Sequence, residues 1–170
     1  MSRSQTITWA GILLWVTLVA DTAGSMAIAC SCATIGEPNA ASYKVQYDTI
    51  FVGIPVLIAS DSHSAADGTL EIRGAWIRFR VTRAWKGAST PFLWVHTGVL
   101  GGGGCGIDFQ LNGVYLVFAS RVGEALDTNA CDPTDETSVV GVLLNELGSP
   151  QHTYPYGPDP LVLDHGASPR

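Results

Sequence analysis

The sequence predicts a mainly β domain: a small five-stranded Greek-key barrel with one or two flanking helices, held by two disulfides. Three observations predict it. First, 19 glycines and 9 prolines in 170 residues call for many turns, as short strands need and long helices do not. Second, short runs of β-branched and aromatic residues recur between those turns. Third, four cysteines stand in a chain that begins like an exported one, and an even count in that setting reads as two bridges.

Residues 1–29 are expected to be a signal peptide. Arg3 is the only charge before an apolar run from residue 7 to 20, too short to span a bilayer comfortably and closed by Asp21. Ala27-Ile28-Ala29 then supplies the small-x-small pattern of a cleavage site, which would make Cys30 the new N-terminus. No later segment is long and apolar enough to cross a membrane, so no span is expected in the mature chain. Cys30 and Cys32 are too close to bond each other comfortably. Each must reach far along the chain, one to Cys105 and one to Cys131, and loops that long stabilise a fold by about 3–5 kcal/mol per bridge.

Within the expected domain of residues 30–147, residues 39–47 lack Gly and Pro and suit a short helix. Residues 49–58 read as a strand, with Gly53 and Pro55 marking a bulge or an edge. Residues 60–69 are polar and read as an exposed hairpin loop. Residues 71–85 alternate, placing Ile77, Phe79, Val81 and Trp85 on one face and Arg78, Arg80 and Thr82 on the other. A strand at 92–97 precedes a glycine-rich loop at 98–106, and the apolar run 114–119 fits a strand buried on both faces. A short strand or turn leads to Cys131. Residues 135–147 have the pattern of an amphipathic helix, with Asp135 and Glu136 in its first turn and Gly148 just past its end. Residues 148–170 have no periodicity and are expected to be a disordered tail. This element order fits the barrel known as the OB-fold, and a β-sandwich has the same strand spacing.

The composition and motifs exclude more than they assign. A net charge of −6 disfavours nucleic acid and anionic membranes. Arg73, Arg78, Arg80, Arg83 and Lys86 gather on one strand around Trp76, and read as its solvated outer face rather than as a nucleic-acid platform. Gly101 to Gly106 lacks the Lys-Ser/Thr of a phosphate loop, so it is expected to present Cys105 to its partner. His63, His96, His152 and His165 have no ligand spacing, so no intrinsic metal or cofactor is expected. There is no Gly-x-Ser-x-Gly, no spare thiol and no acid/base carboxylate pair; the chain is not expected to be an enzyme.

The remaining signal is Cys30-Ser31-Cys32 at the cut N-terminus. A free α-amine has a pKa of about 8, so its neutral form is accessible, and a divalent metal promotes loss of its proton. Together with the Cys30 carbonyl oxygen it can chelate a metal. Two bridges would hold that group rigid, lowering the entropic cost of capping the catalytic zinc of another protein.

The stretch Cys30-Ser31-Cys32-Ala33 resembles the start of the N-terminal, netrin-like domain of the tissue inhibitors of metalloproteinases, which open on Cys-x-Cys with a small hydroxylated middle residue. The resemblance continues through Phe79-x-Val81 to Trp85-Lys86-Gly87, Cys105-Gly106, Tyr115-Leu116 and the closing Cys131. It implies an OB-type barrel with bridges Cys30–Cys105 and Cys32–Cys131. It further implies a secreted, monomeric inhibitor whose Cys30 chelates the zinc of a target metalloprotease. Ser31 would point into the pocket beside that zinc, with Ala33 and Thr34 flanking. The chain departs from the family in lacking a third bridge and a second cysteine-rich domain, and in its longer glycine-rich loop. The alternative is a non-inhibitory netrin-like binding module, with or without a membrane anchor; an imperfect lipoprotein signal offers acylation at Cys30 as that anchor, and lipid there would prevent both chelation and the Cys30–Cys105 bridge.

Overall fold

The computed structural model describes residues 30, 32, 39–99 and 104–155. The expected signal peptide, Ser31, Ala33, Thr34, His165 and the tail beyond residue 155 lie outside the described residues. Helix α1 (Ala40–Gln46) opens on Asn39, whose side chain accepts from Ser42 N at 2.9 Å while Ser42 Oγ accepts from Asn39 N at 3.3 Å. This reciprocal box satisfies donors that a helix start leaves orphaned.

Strand β1 (Thr49–Ser64) pairs antiparallel with β2 (Leu70–Lys86), and β2 with β3 (Phe92–Gly98). β3 runs parallel to β5 (Ala125–Thr128), which is antiparallel to β4 (Tyr115–Val122). β4 pairs antiparallel with the first residues of β1, Thr49 to Gly53, and so closes the ring β1-β2-β3-β5-β4. This is the predicted five-stranded OB-type barrel, with two short additions: β6 (Asp135–Glu136) on β4 and β7 (His152–Thr153) on β2. β1 can serve two partners because it bends. Its register slips between Val52 and Gly53 and again between Pro55 and Leu57, at the two residues that suggested a bulge.

The barrel separates two cores. Inside lie Phe51, Ile77, Phe79, Val81, Val95 and Val117, with edge-to-face contacts running Phe51–Phe79–Phe109–Tyr115 at 5.4, 5.1 and 4.9 Å between centroids. Outside, α1 and helix α2 (Gly141–Glu146) cover Ile50, Val52, Leu116 and Phe118, together with Tyr47, Trp85 and Leu147. β4 lies between them, with Tyr115, Val117 and Ala119 facing in and Leu116 and Phe118 facing the helices. The apolar run is thereby explained from Tyr115 to Ala119; Val114, expected in the strand, precedes it and is exposed.

Four expectations need correction. Trp85 does not share the face of Ile77, Phe79 and Val81; it packs in the helix-side core. The pairing passes from Val81↔Gly53 to Arg83↔Val52, so Thr82 is an extra residue that reverses the alternation, and Ala84 rather than Trp85 faces inward. Helix α2 begins only at Gly141, because Asp135 and Glu136 are spent as β6 against Leu116 and Tyr115. The polar loop is shorter than 60–69: the hairpin extends to Ser64 and resumes at Leu70. Finally, residues 151–154 of the expected disordered tail run along β2. Gln151 N donates to Ala84 O at 2.7 Å and Tyr154 N to Thr82 O at 2.9 Å, on the edge of β2 that β3 leaves after pairing with Arg80. Upstream, Trp85 Nε1 holds Gly148 O at 2.7 Å.

Candidate functional site at the disulfide rim

Because β3 and β5 are parallel neighbours, their C-terminal ends reach the same rim of the barrel. The chain leaving β3 returns through Gly104 to Gly106, where Gly106 N donates to Val99 O at 3.1 Å and Ile107 N to Thr97 Oγ1 at 2.9 Å. A Cβ on Gly106 would collide with Gly98 O, and one on Gly104 with Val99 O, so this return requires glycine on both sides of Cys105. The chain leaving β5 turns through Asn129 to Cys131. Ala130 N donates to Cys105 O at 2.8 Å, joining the two loops directly.

Asp132 holds the second loop. Its carboxylate accepts from Asn129 N at 2.8 Å, Thr128 Oγ1 at 3.3 Å and Tyr47 OH at 3.0 Å. Burial raises the Asp132 carboxyl above the ordinary value, and these hydrogen bonds oppose the rise only partly. Burial, followed by the negative charge of Asp132, raises the Tyr47 hydroxyl as well, so it stays a neutral donor.

On this framework the four cysteines form two bridges. Cys30 pairs with Cys105 at a Cα separation of 5.5 Å, and Cys32 with Cys131 at 5.2 Å. These are the pairings the resemblance implied, and there is no free cysteine among the described residues. The bridges fit an extracellular location. Both tie Cys30 and Cys32 to the joined loops, with Cys30 half-buried and Cys32 exposed.

Among the described residues no cluster of three or more His, Cys, Asp or Glu could hold a metal, and no helix is long and apolar enough to cross a membrane. The basic strand is only in part the solvated face the alternation suggested: Arg73 and Arg83 are exposed, Arg80 and Lys86 half-buried, and Arg78 buried. Arg78 is 5% exposed, with its guanidinium 4.6 Å from the Phe92 ring centroid. Arg83 lies 5.5 Å from the Trp85 ring, and Lys86 Nζ donates to Lys44 O and Tyr47 O at 2.9 and 2.6 Å, tying down the end of α1.

His96 has an environment that sequence spacing could not reveal. Its Nδ1 is 2.7 Å from Asp127 Oδ1 on β5 and its Nε2 is 3.3 Å from Asp61 Oδ2 on β1. His63 and His152 are exposed elsewhere. Comparison with known proteins found no family model and no curated protein that matches the chain.

Proposed function

We propose that the mature chain begins at Cys30 and is a secreted, netrin-like inhibitor of zinc metalloproteases. The α-amine and carbonyl oxygen of Cys30 would chelate the target's catalytic zinc, with Ser31 entering the adjacent specificity pocket and Ala33 and Thr34 contacting the cleft. The observation that carries the reading is the double anchorage of Cys30 and Cys32 to the rim where β3 and β5 end. A chelating terminus held this way loses little freedom on binding, so more of the contact energy survives as affinity. A neutral amine is required, and its pKa of about 8 leaves that form accessible near neutrality.

The lipoprotein reading is disfavoured by the Cys30–Cys105 bridge, which occupies the sulfur that a thioether-linked lipid would need. The reading is tested by comparing the chain beginning at Cys30 with a variant carrying one extra alanine before it, against a panel of zinc endopeptidases. The extension removes the amine from the chelate while leaving both bridges. Inhibition by the first and not the second is expected; equal inhibition by both would refute chelation.

A further inference from the structure

The seam between β3 and β5 has a second end. The ladder holds only two residue pairs, His96↔Asp127 and Thr97↔Thr128, both toward the disulfide rim. Toward the N-terminal ends of the same strands, the β2–β3 turn and the β4–β5 hairpin diverge and leave a groove of about 670 Å³. That size is within the range of small-molecule sites. Leu93 and Leu126 line it together with the half-buried indoles of Trp76 and Trp94. Polar groups ring it: the hydroxyls of Ser89 and Thr90 from the turn, and Arg121 and Glu124 from the hairpin.

We infer that this groove is a binding site for a neutral saccharide. A pyranose ring has apolar C–H faces that lie against indoles and an edge of hydroxyls that both donate and accept. The groove offers that complement: two indoles, donors on Arg121, acceptors on Glu124, a Ser89 hydroxyl that does either, and a Thr90 hydroxyl that can accept while it donates to Phe92 O at 2.8 Å. One cation and one carboxylate balance at the rim, which matches an uncharged ligand better than a phosphate or a polyanion, as does the net charge of −6.

The lining is also pre-set. The Trp76 ring lies 5.0 Å from the His96 ring, which is held by the hydrogen bond between its Nδ1 and Asp127 Oδ1. The base of the hairpin is fixed by Arg121 N donating to Asp48 Oδ2 at 2.7 Å. A rigid platform of this kind binds without first paying to order its side chains. The His96–Asp127 hydrogen bond thus acts as a positioning element for Trp76. Strand β3 between Trp94 and Gly98 spans about 13 Å, so the groove and the disulfide rim are at separate ends of one seam. The inference therefore does not depend on the proposed chelation by Cys30.

The test is titration of the full exported chain with cellotriose, maltotriose and triacetylchitotriose, read by tryptophan fluorescence and calorimetry. At least one trisaccharide should bind saturably below about 10 mM, the millimolar range being worth roughly 4 kcal/mol. Trp94→Ala should weaken that binding about tenfold or more, the loss expected for one stacked aromatic contact. Arg121→Ala, an exposed change that spares the barrel, should weaken it while leaving the thermal midpoint in place. His96→Gln should weaken it less than Trp94→Ala does. No binding by any of the three sugars would overturn the inference. So would binding that survives both Trp94→Ala and Arg121→Ala, or a groove that takes only an unstructured peptide.

Discussion

Cutting one disulfide at a time should reveal how the two bridges share their work. Taken alone, each closes a long loop, with sequence separations of 75 and 99 residues. The chain-entropy relation assigns about 4.5 and 4.7 kcal/mol to loops of those lengths. The bridges are not independent, however. With Cys32–Cys131 intact, Cys30 already lies near Cys105 along a detour of two residues from Cys30 to Cys32 and 26 residues from Cys131 back to Cys105. The same detour applies in reverse when Cys30–Cys105 is the bridge retained.

Closing a loop of that shorter length is worth about 3.6 kcal/mol. C30S/C105S and C32S/C131S should therefore cost nearly the same, about 3.6 kcal/mol each, despite their different separations. The quadruple variant should cost about 8 kcal/mol, exceeding the sum of the two by about 1 kcal/mol. Equilibrium urea unfolding of the four proteins, with oxidised bridges verified by mass, measures all three quantities. A quadruple loss no larger than the sum of the two, or bridge losses differing by more than about 1 kcal/mol, would refute the shared-detour reasoning.

Other perturbations test other parts of the fold. Phe118→Ala empties the centre of the helix-side core, where the ring meets Tyr43 and Tyr47 at 5.2 and 5.3 Å, and should cost about 3–5 kcal/mol in urea unfolding. Trp85→Phe removes the indole donor to Gly148 O; it should cost about 1–2 kcal/mol and raise amide exchange of Gln151 and Tyr154 before that of β4. Gly87→Ala puts a side chain at φ +71° and against Asp48 O, and should lower the thermal midpoint, whereas Gly68→Ala, with open space around it at φ +84°, should lower it less. Asp132 bears on pH. Its folded carboxyl titrates above its unfolded value of 3.8, so the folded state binds the proton more tightly, and wild type should lose stability relative to Asp132→Asn as pH rises through and above that value. A difference that does not change with pH over that range would remove Asp132 from the account.

What the sequence made legible was what nearest neighbours decide. The apolar run at 114–119 announced a strand between two cores, and the absence of breakers at 39–47 announced α1. Gly53 and Pro55 marked the bend that lets β1 serve two partners. Less legible were features that depend on partners distant along the chain. One extra residue at Thr82 moved Trp85 to the other core, and no alternation rule can see a bulge in advance. Asp135 and Glu136 look like helix-start charges until β4 offers them an edge. The segment around His152 lacks periodicity because it supplies only two residues to a sheet and leaves the rest to single hydrogen bonds. Asp61, His96 and Asp127 meet only because the barrel closes, and Trp94 read as an ordinary strand residue until the seam opened beside it.

The proposed inhibition is tested most directly by titrating a zinc endopeptidase with the chain beginning at Cys30 before and after selective acylation of its α-amine. The account predicts that the untreated chain inhibits the enzyme and that acylation abolishes inhibition while both bridges and the thermal midpoint stay unchanged. Inhibition that is equally strong after acylation, or a chain beginning at Cys30 with a free amine that inhibits no zinc endopeptidase, would contradict it.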